Sequence, residues 1–283
     1  MKRLLTLLLL IATVSLTTAQ TLEEITTTYN EAVVNANEKP GITLEKLVVL
    51  LPKAEALGDE AAEITGNITG MLPTLQYKVA RAAHEAKDID GAIMGFEKTI
   101  ELSKKYDDPE IAKQVNERLP LLYYAKGSTK LKAKDAKAAT TAFNQALVLD
   151  PNYAKAYYGI SKTFRGTSMD SVLHYTNKAI SMAGTNVKEV TSYKKGGRIY
   201  LSKAAAKAAK ASKNKEAIDL YEKALSFTAE TDATNLSKYN YKIAKSYQAM
   251  GKTSDACAAY KKVSDTKYLK SAKYEMEQKL KCN

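Results

Sequence analysis

Apolar and polar positions along this chain repeat with a helical period, and the helices they predict come in pairs. The stretch from Tyr123 to Pro151, YYAKGSTKLKAKDAKAATTAFNQALVLDP, shows this best. A first segment carries Tyr123 and Gly127, a polar break falls at Lys134-Asp135, and a second segment carries Ala139, Phe143, Ala146 and Leu147 before Pro151 ends it. Apolar residues three and four apart share a helix face, so the stretch predicts two short helices back to back.

The same pattern recurs at fixed offsets. Upstream the offset is 47: Leu72-Pro73 aligns with Leu119-Pro120, Tyr77 with Tyr124, Ala92 with Ala139 and Phe96 with Phe143. These two units are long because each has extra helical sequence before its proline. That sequence reads either as an N-terminal extension of the first helix or as a short separate helix, and proline disfavours a helix interior. Downstream the offset falls to 34, carrying Tyr123 to Tyr157 and Tyr124 to Tyr158. An Ala- and Lys-rich helix follows from Lys188 to Ser212, with Gly196-Gly197 as either a kink or a point of close packing. Its partner repeats the second-helix pattern at Ala217, Tyr221 and Ala224, and the last pair does so at Ala256 and Tyr260. At the start, 22–37 predicts an amphipathic helix, and Thr43 caps a second one that Pro52 should kink or split.

An early aromatic, a small residue one turn later, then small–aromatic–small and a terminal proline resemble the tetratricopeptide repeat, a helix–turn–helix unit of about 34 residues. Gln76, Leu201 and Asn240 depart from it in the slot of Tyr123, and only Pro151 supplies the terminal proline. The resemblance implies an all-α, right-handed α-solenoid with some extended first helices and a C-terminal capping helix. The boundaries read as a degenerate repeat over 20–58, repeats over 59–106, 107–152, 153–185, 186–231 and 232–264, and a cap over 265–283. The whole pattern is also similar to exported repeat proteins of Gram-negative bacteria.

The first 19 residues add a location. Lys2 and Arg3 precede an apolar run from Leu4 to Val14 that is shorter than the roughly 20 residues of a membrane span, and Thr17-Thr18-Ala19 is a small-residue cleavage site. This predicts a signal peptide and a periplasmic or extracellular protein. Removing Lys2 and Arg3 lowers the formal net charge from +12 to +10. The lysines are spread along the chain, as on a solvated surface, and the balance also suits an acidic partner. Cys257 and Cys282 form either a disulfide, allowed in an exported chain, or two separate thiols.

No convergent catalytic set emerges. His84 and His174 are far apart, no pair has metal-ligand spacing, and no phosphate loop or nucleophile elbow is present. The chain is expected to be non-enzymatic, without cofactor, metal or nucleic-acid partner. What remains is the surface that the resemblance assigns to the first helices, where such solenoids bind peptides or proteins. One stripe there reads Tyr77, Tyr124, Tyr158 and Tyr241. One turn on come Arg81, Ser128, Lys162 and Lys245. A further turn gives His84, Leu131, Arg165 and Gln248. Tyr offers flat area, and Lys or Arg meets a carboxylate. The expectation is a protein-interaction scaffold for peptide or protein partners, acidic ones among them. The alternatives are an envelope glycan-binding protein using Tyr stacking, and a self-assembling structural protein.

Overall fold

A computed structural model describes residues 21–282; the segment 1–19, expected to be a signal peptide, lies outside them. Thirteen α-helices are described, in the order α1 Leu22–Val33, α2 Pro40–Glu55, α3 Ala62–Glu85, α4 Ile89–Lys105, α5 Pro109–Lys132, α6 Ala136–Leu149, α7 Ala154–Thr163, α8 Met169–Ala183, α9 Val187–Lys210, α10 Asn214–Ser226, α11 Ala233–Ala249, α12 Thr253–Lys261 and α13 Thr266–Tyr274. A π-helical turn, Glu275–Leu280, continues α13. The described residues contain no strand, so the fold is an all-α solenoid of helical hairpins. The chain divides into two compact units, one ending at Lys126 and the other starting at Gly127, within α5.

The hairpin turn is built from local chemistry. Where a first helix hands over to a second, one residue adopts a left-handed backbone: Lys87, Lys134, Gly166, Ser212 and Gly251. That conformation lets a backbone N–H reach back five residues to an otherwise orphaned carbonyl, as Asp88 does to Ala83, Asp135 to Lys130, Lys213 to Ala208 and Lys252 to Tyr247. Asp88 and Asp135 then cap the next helix by accepting from the N–H of Gly91 and Ala138, both at 2.9 Å. One short sequence thus ends a helix and starts its neighbour.

In the first unit, α1 begins with a capping box between Thr21 and Glu24. It ends at Val33, earlier than the periodicity predicts, and turns carry the chain to Lys39. Thr43 does not cap α2. Pro40 takes the first-turn position, where its missing N–H costs nothing, so the helix starts four residues sooner. Thr43 is therefore buried inside, donating its hydroxyl to the Ala32 carbonyl at 3.0 Å. Pro52, Pro73 and Pro120 all lie within continuous helices. Burial of Leu50, Leu51 and Ala54 around the first, and of Leu72 and Leu75 around the second, outweighs the lost hydrogen bond. The core runs from Ile25, Leu47 and Ile68 to Phe96, Val115 and Leu119.

In the second unit, the second helices share a buried register. Ala139, Phe143 and Ala146 in α6, Ala217, Tyr221 and Ala224 in α10, and Ala256 and Tyr260 in α12, with Val263 just beyond its end, are all less than 5% exposed. The small residues admit a neighbouring helix and the aromatic fills the space between. Phe143 shows the limit of this approach: a Cβ on Gly127 or Gly159 would stand 2.6 or 2.7 Å from its ring. In α8 the aromatic slot holds Thr176, whose hydroxyl is buried without a hydrogen-bond partner. Gly196-Gly197 makes no break in α9. A Cβ on Gly196 would fall 1.7 Å from the Tyr158 hydroxyl, so the glycine pair is a point of close packing.

Asp232 caps α11 and also accepts from Arg198 of α9 at 3.1 Å, with the Arg198 side chain only 13% exposed. Burial pushes the Asp232 carboxyl up, but the hydrogen bonds from Asn235 and the charge of Arg198 together outweigh it and hold it below its ordinary 3.8. Asp232→Asn keeps a capping side chain and removes the charge, so it should destabilise by about 1 kcal/mol. A depressed carboxyl pKa contributes stability above the unfolded value and loses it on acidification. The difference between variant and parent should therefore be full above pH 3.8 and vanish as pH falls through the lower folded value, as chemical denaturation at stepped pH would show.

The glycine contacts give an opposed pair of outcomes. Gly159→Ala should destabilise by about 1–3 kcal/mol through its clash with Phe143. Gly66→Ala, in α3 with nothing near its added methyl, should stabilise by up to about 1 kcal/mol from helix propensity. Urea midpoints of the two variants check this.

Candidate functional site

In the second unit, Tyr158, Lys162 and Arg165 of the sequence-predicted set meet in one place. Its base is α7, a ten-residue helix that lacks the proline-containing extension of α3 and α5. Helix α7 ends at Thr163, and the chain leaves it through Arg165 and Gly166, the latter at φ +94°. Tyr158 is anchored on its far side. Its ring packs on Tyr193 of α9 with centroids 4.6 Å apart, and its hydroxyl rests against the bare backbone of Gly196. One turn on, the Lys162 ammonium sits 4.4 Å from the Tyr158 ring centroid. The Arg165 guanidinium donates weakly to the Tyr158 hydroxyl at 3.5 Å and lies 5.3 Å from the Tyr200 ring. Tyr200, also from α9, accepts from the Gly166 backbone N–H at 2.7 Å, which ties the turn to the next helix.

Two cations thus stand side by side on an aromatic floor. Among the described residues neither has a carboxylate within ion-pair distance; the nearby Glu189 is engaged by Lys155 and Tyr193. Burial lowers the Lys162 pKa from 10.5, and the like charge of Arg165 lowers it further. Cation–π contact offsets part of that cost, by about 0.5–2 kcal/mol. An anion placed between the two would screen their repulsion and favour the charged form of Lys162. Beside them a cleft of about 360 Å³ is lined by Gly166, Thr167, Tyr200, Lys207, Lys213 and Glu216 among others.

The remaining stripe residues have other surroundings. In the first unit, Tyr77 is buried against Phe96 with centroids 5.5 Å apart, and the Arg118 guanidinium lies 5.8 Å from its ring centroid. Arg81 pairs with Glu85 on its own helix at 3.0 Å, and His84 is exposed. Tyr124 and Ser128 are half-buried on α5. The tyrosine that opens this helix's pattern, Tyr123, donates to Glu97 at 2.5 Å, and burial and this bond raise its pKa to about 12. In the second unit, Tyr241 packs between Tyr260 and Tyr268. Lys245 pairs with Glu275 at 3.1 Å. Cys257 and Cys282 form a disulfide that ties the chain end to α12. Tyr193 and Tyr200 of α9 lie outside the stripe of first-helix tyrosines read from the sequence, yet they are the residues that meet α7. Their spacing of seven residues was the available signal.

Among the described residues no cluster of His, Cys, Asp and Glu could hold a metal ion, and no helix is long and apolar enough to cross a membrane.

No family model matches the sequence, and no curated protein matches it. Several solved structures are similar in fold. MamA is 18% identical over 74% of this chain and 97% of its own length, with a TM-score of 0.35. A tetratricopeptide repeat protein from Parabacteroides merdae is 14% identical, covering 91% of this chain and all of its own, with a TM-score of 0.26. A thermophilic one in Thermus thermophilus is 16% identical over 74% of this chain and 95% of its own, with a TM-score of 0.23. By its own helix order, turn geometry and buried small–aromatic–small register, the chain is an all-α solenoid of helical hairpins that resemble tetratricopeptide repeats.

Proposed function

We propose that this protein is a non-enzymatic interaction scaffold that binds a protein partner through the α7–α9 patch, with Lys162 and Arg165 receiving a carboxylate of that partner. One observation carries the reading: two adjacent cations, Lys162 half-buried and Arg165 exposed, are held against Tyr158 and Tyr200 with no acidic partner among the described residues. Tyr158 acts as a positioning residue, since its ring area is already taken by Tyr193 and Lys162. Affinity comes from the cations and from the exposed parts of the cleft beside Tyr200. The Cys257–Cys282 disulfide supports export, because such bonds persist in oxidising compartments.

The test compares proteins retained from a native extract by the immobilised full chain and by its variants. Lys162→Gln and Arg165→Gln should each weaken retention of the specific partner at least about tenfold, the lower end of the roughly 1.5–3 kcal/mol of a charged hydrogen bond. Tyr200→Glu, which supplies a carboxylate from within, should abolish retention while leaving the melting temperature unchanged or higher. An identical set of retained proteins for parent and all three variants would sink the proposal.

A further inference from the structure

The last repeat contains the α7 arrangement a second time, with two differences: Gln248 stands in the place of Arg165 and Glu275 in that of Tyr200. Lys162 and Arg165 follow Tyr158 by four and seven residues; Lys245 and Gln248 follow Tyr241 by the same steps. On the facing helix, Tyr193 packs on Tyr158, and Tyr200, seven residues on, meets Arg165. On α13, Tyr268 packs on Tyr241 with centroids 5.9 Å apart, and Glu275, seven residues on, meets both polar groups. The Glu275 carboxylate accepts from Lys245 Nζ at 3.1 Å and from Gln248 Nε2 at 2.9 Å. Gln248 is itself oriented, because its Oε1 accepts from the buried Tyr260 hydroxyl at 3.0 Å. The same slot therefore faces a neutral Tyr200 in the middle of the chain and a carboxylate at its end.

We infer that Tyr241, Lys245 and Gln248 form a second carboxylate-binding slot, which the chain's own C-terminal segment keeps occupied through Glu275. The ligand class is a glutamate side chain presented by a helical protein segment, since that is what fills the slot in cis. Two features hold the segment there. The π-helical turn over Glu275–Leu280 packs Met276 and Leu280 against the core of the second unit. Beyond it, Cys282 is bonded to Cys257 on α12 and its backbone N–H returns to the Met276 carbonyl at 2.9 Å. Gln248, Lys245 and Lys279 together hold the Glu275 carboxyl below its ordinary 4.5 against the opposing effect of burial, as expected of a carboxylate bound in its charged form. Loosening the segment would open a site of the same class as that on α7. The inference rests on the α7 reading only in taking the ligand to be a protein segment.

The probe is a labelled synthetic peptide with the sequence of residues 266–280, titrated by anisotropy against the full chain. A released form carries Glu275→Gln with Cys257→Ser and Cys282→Ser. It should bind the peptide at least tenfold more tightly than the oxidised parent. Adding Lys245→Gln should return binding to the parent level, and adding Lys162→Gln should not. Equal binding by the parent and the released form overturns the inference. So does binding that Lys162→Gln removes and Lys245→Gln leaves intact, an outcome that supports the α7 site instead. Hydrogen exchange gives a readout that does not depend on the peptide. In Glu275→Gln alone, with the disulfide in place, residues 266–282 should exchange at least tenfold faster than in the parent while α11 is unchanged. Unaltered exchange of that segment also overturns the inference.

Discussion

The middle repeats depend on a backbone approaching an aromatic ring more closely than a side chain would allow. Phe143 lies against Gly127 and Gly159 at distances no Cβ could tolerate, and the Tyr158 hydroxyl rests on Gly196 in the same way. In the first unit, a Cβ on Gly95 would reach the Ala80 methyl at 2.8 Å. These contacts bring successive helices close enough for dense packing, in which one ring replaces several smaller side chains. A solenoid has no central core to absorb a misfit, since each repeat packs only on its neighbours. The glycines and alanines at the crossings therefore fix helix order, and the surfaces follow from it.

Charge is distributed on the same scaffold by a simple difference between neighbours. The chain is strongly basic, yet most conspicuous cations of the first helices are engaged within a few ångströms. Arg81 meets Glu85, Lys126 meets Asp90, Arg198 meets Asp232 and Lys245 meets Glu275. Lys162 and Arg165 are held by aromatic rings instead. Exposed ion pairs contribute little to stability, so the value of this pattern lies in where charge is left over. Net charge alone does not identify that place; the residue presented by the facing helix does. At one step that residue is Tyr200 and at another it is Glu275.

The sequence by itself determined the element types, the pairing of helices and the buried register of the second helices. These follow from local rules: helical periodicity, Asp at N-caps, and small residues three and four positions from an aromatic. The start of α2 was misread because Thr43 is a good cap, while Pro40 and the packing of Thr43 on Ala32 allowed an earlier start. Only the tertiary structure decided which stripe residues remain open to a partner. Tyr77, Tyr158 and Tyr241 look alike in sequence, but each has its ring area taken by a tyrosine or phenylalanine from another helix. Tyr200 and Glu275 entered the sites from α9 and from the end of α13, far away along the chain. Likewise the cysteine count left two readings, and packing of the final segment on α12 selected the bonded one. Periodicity reports the face of a helix on which a side chain lies. What that face meets is set by the helix stacked against it, which no local pattern encodes.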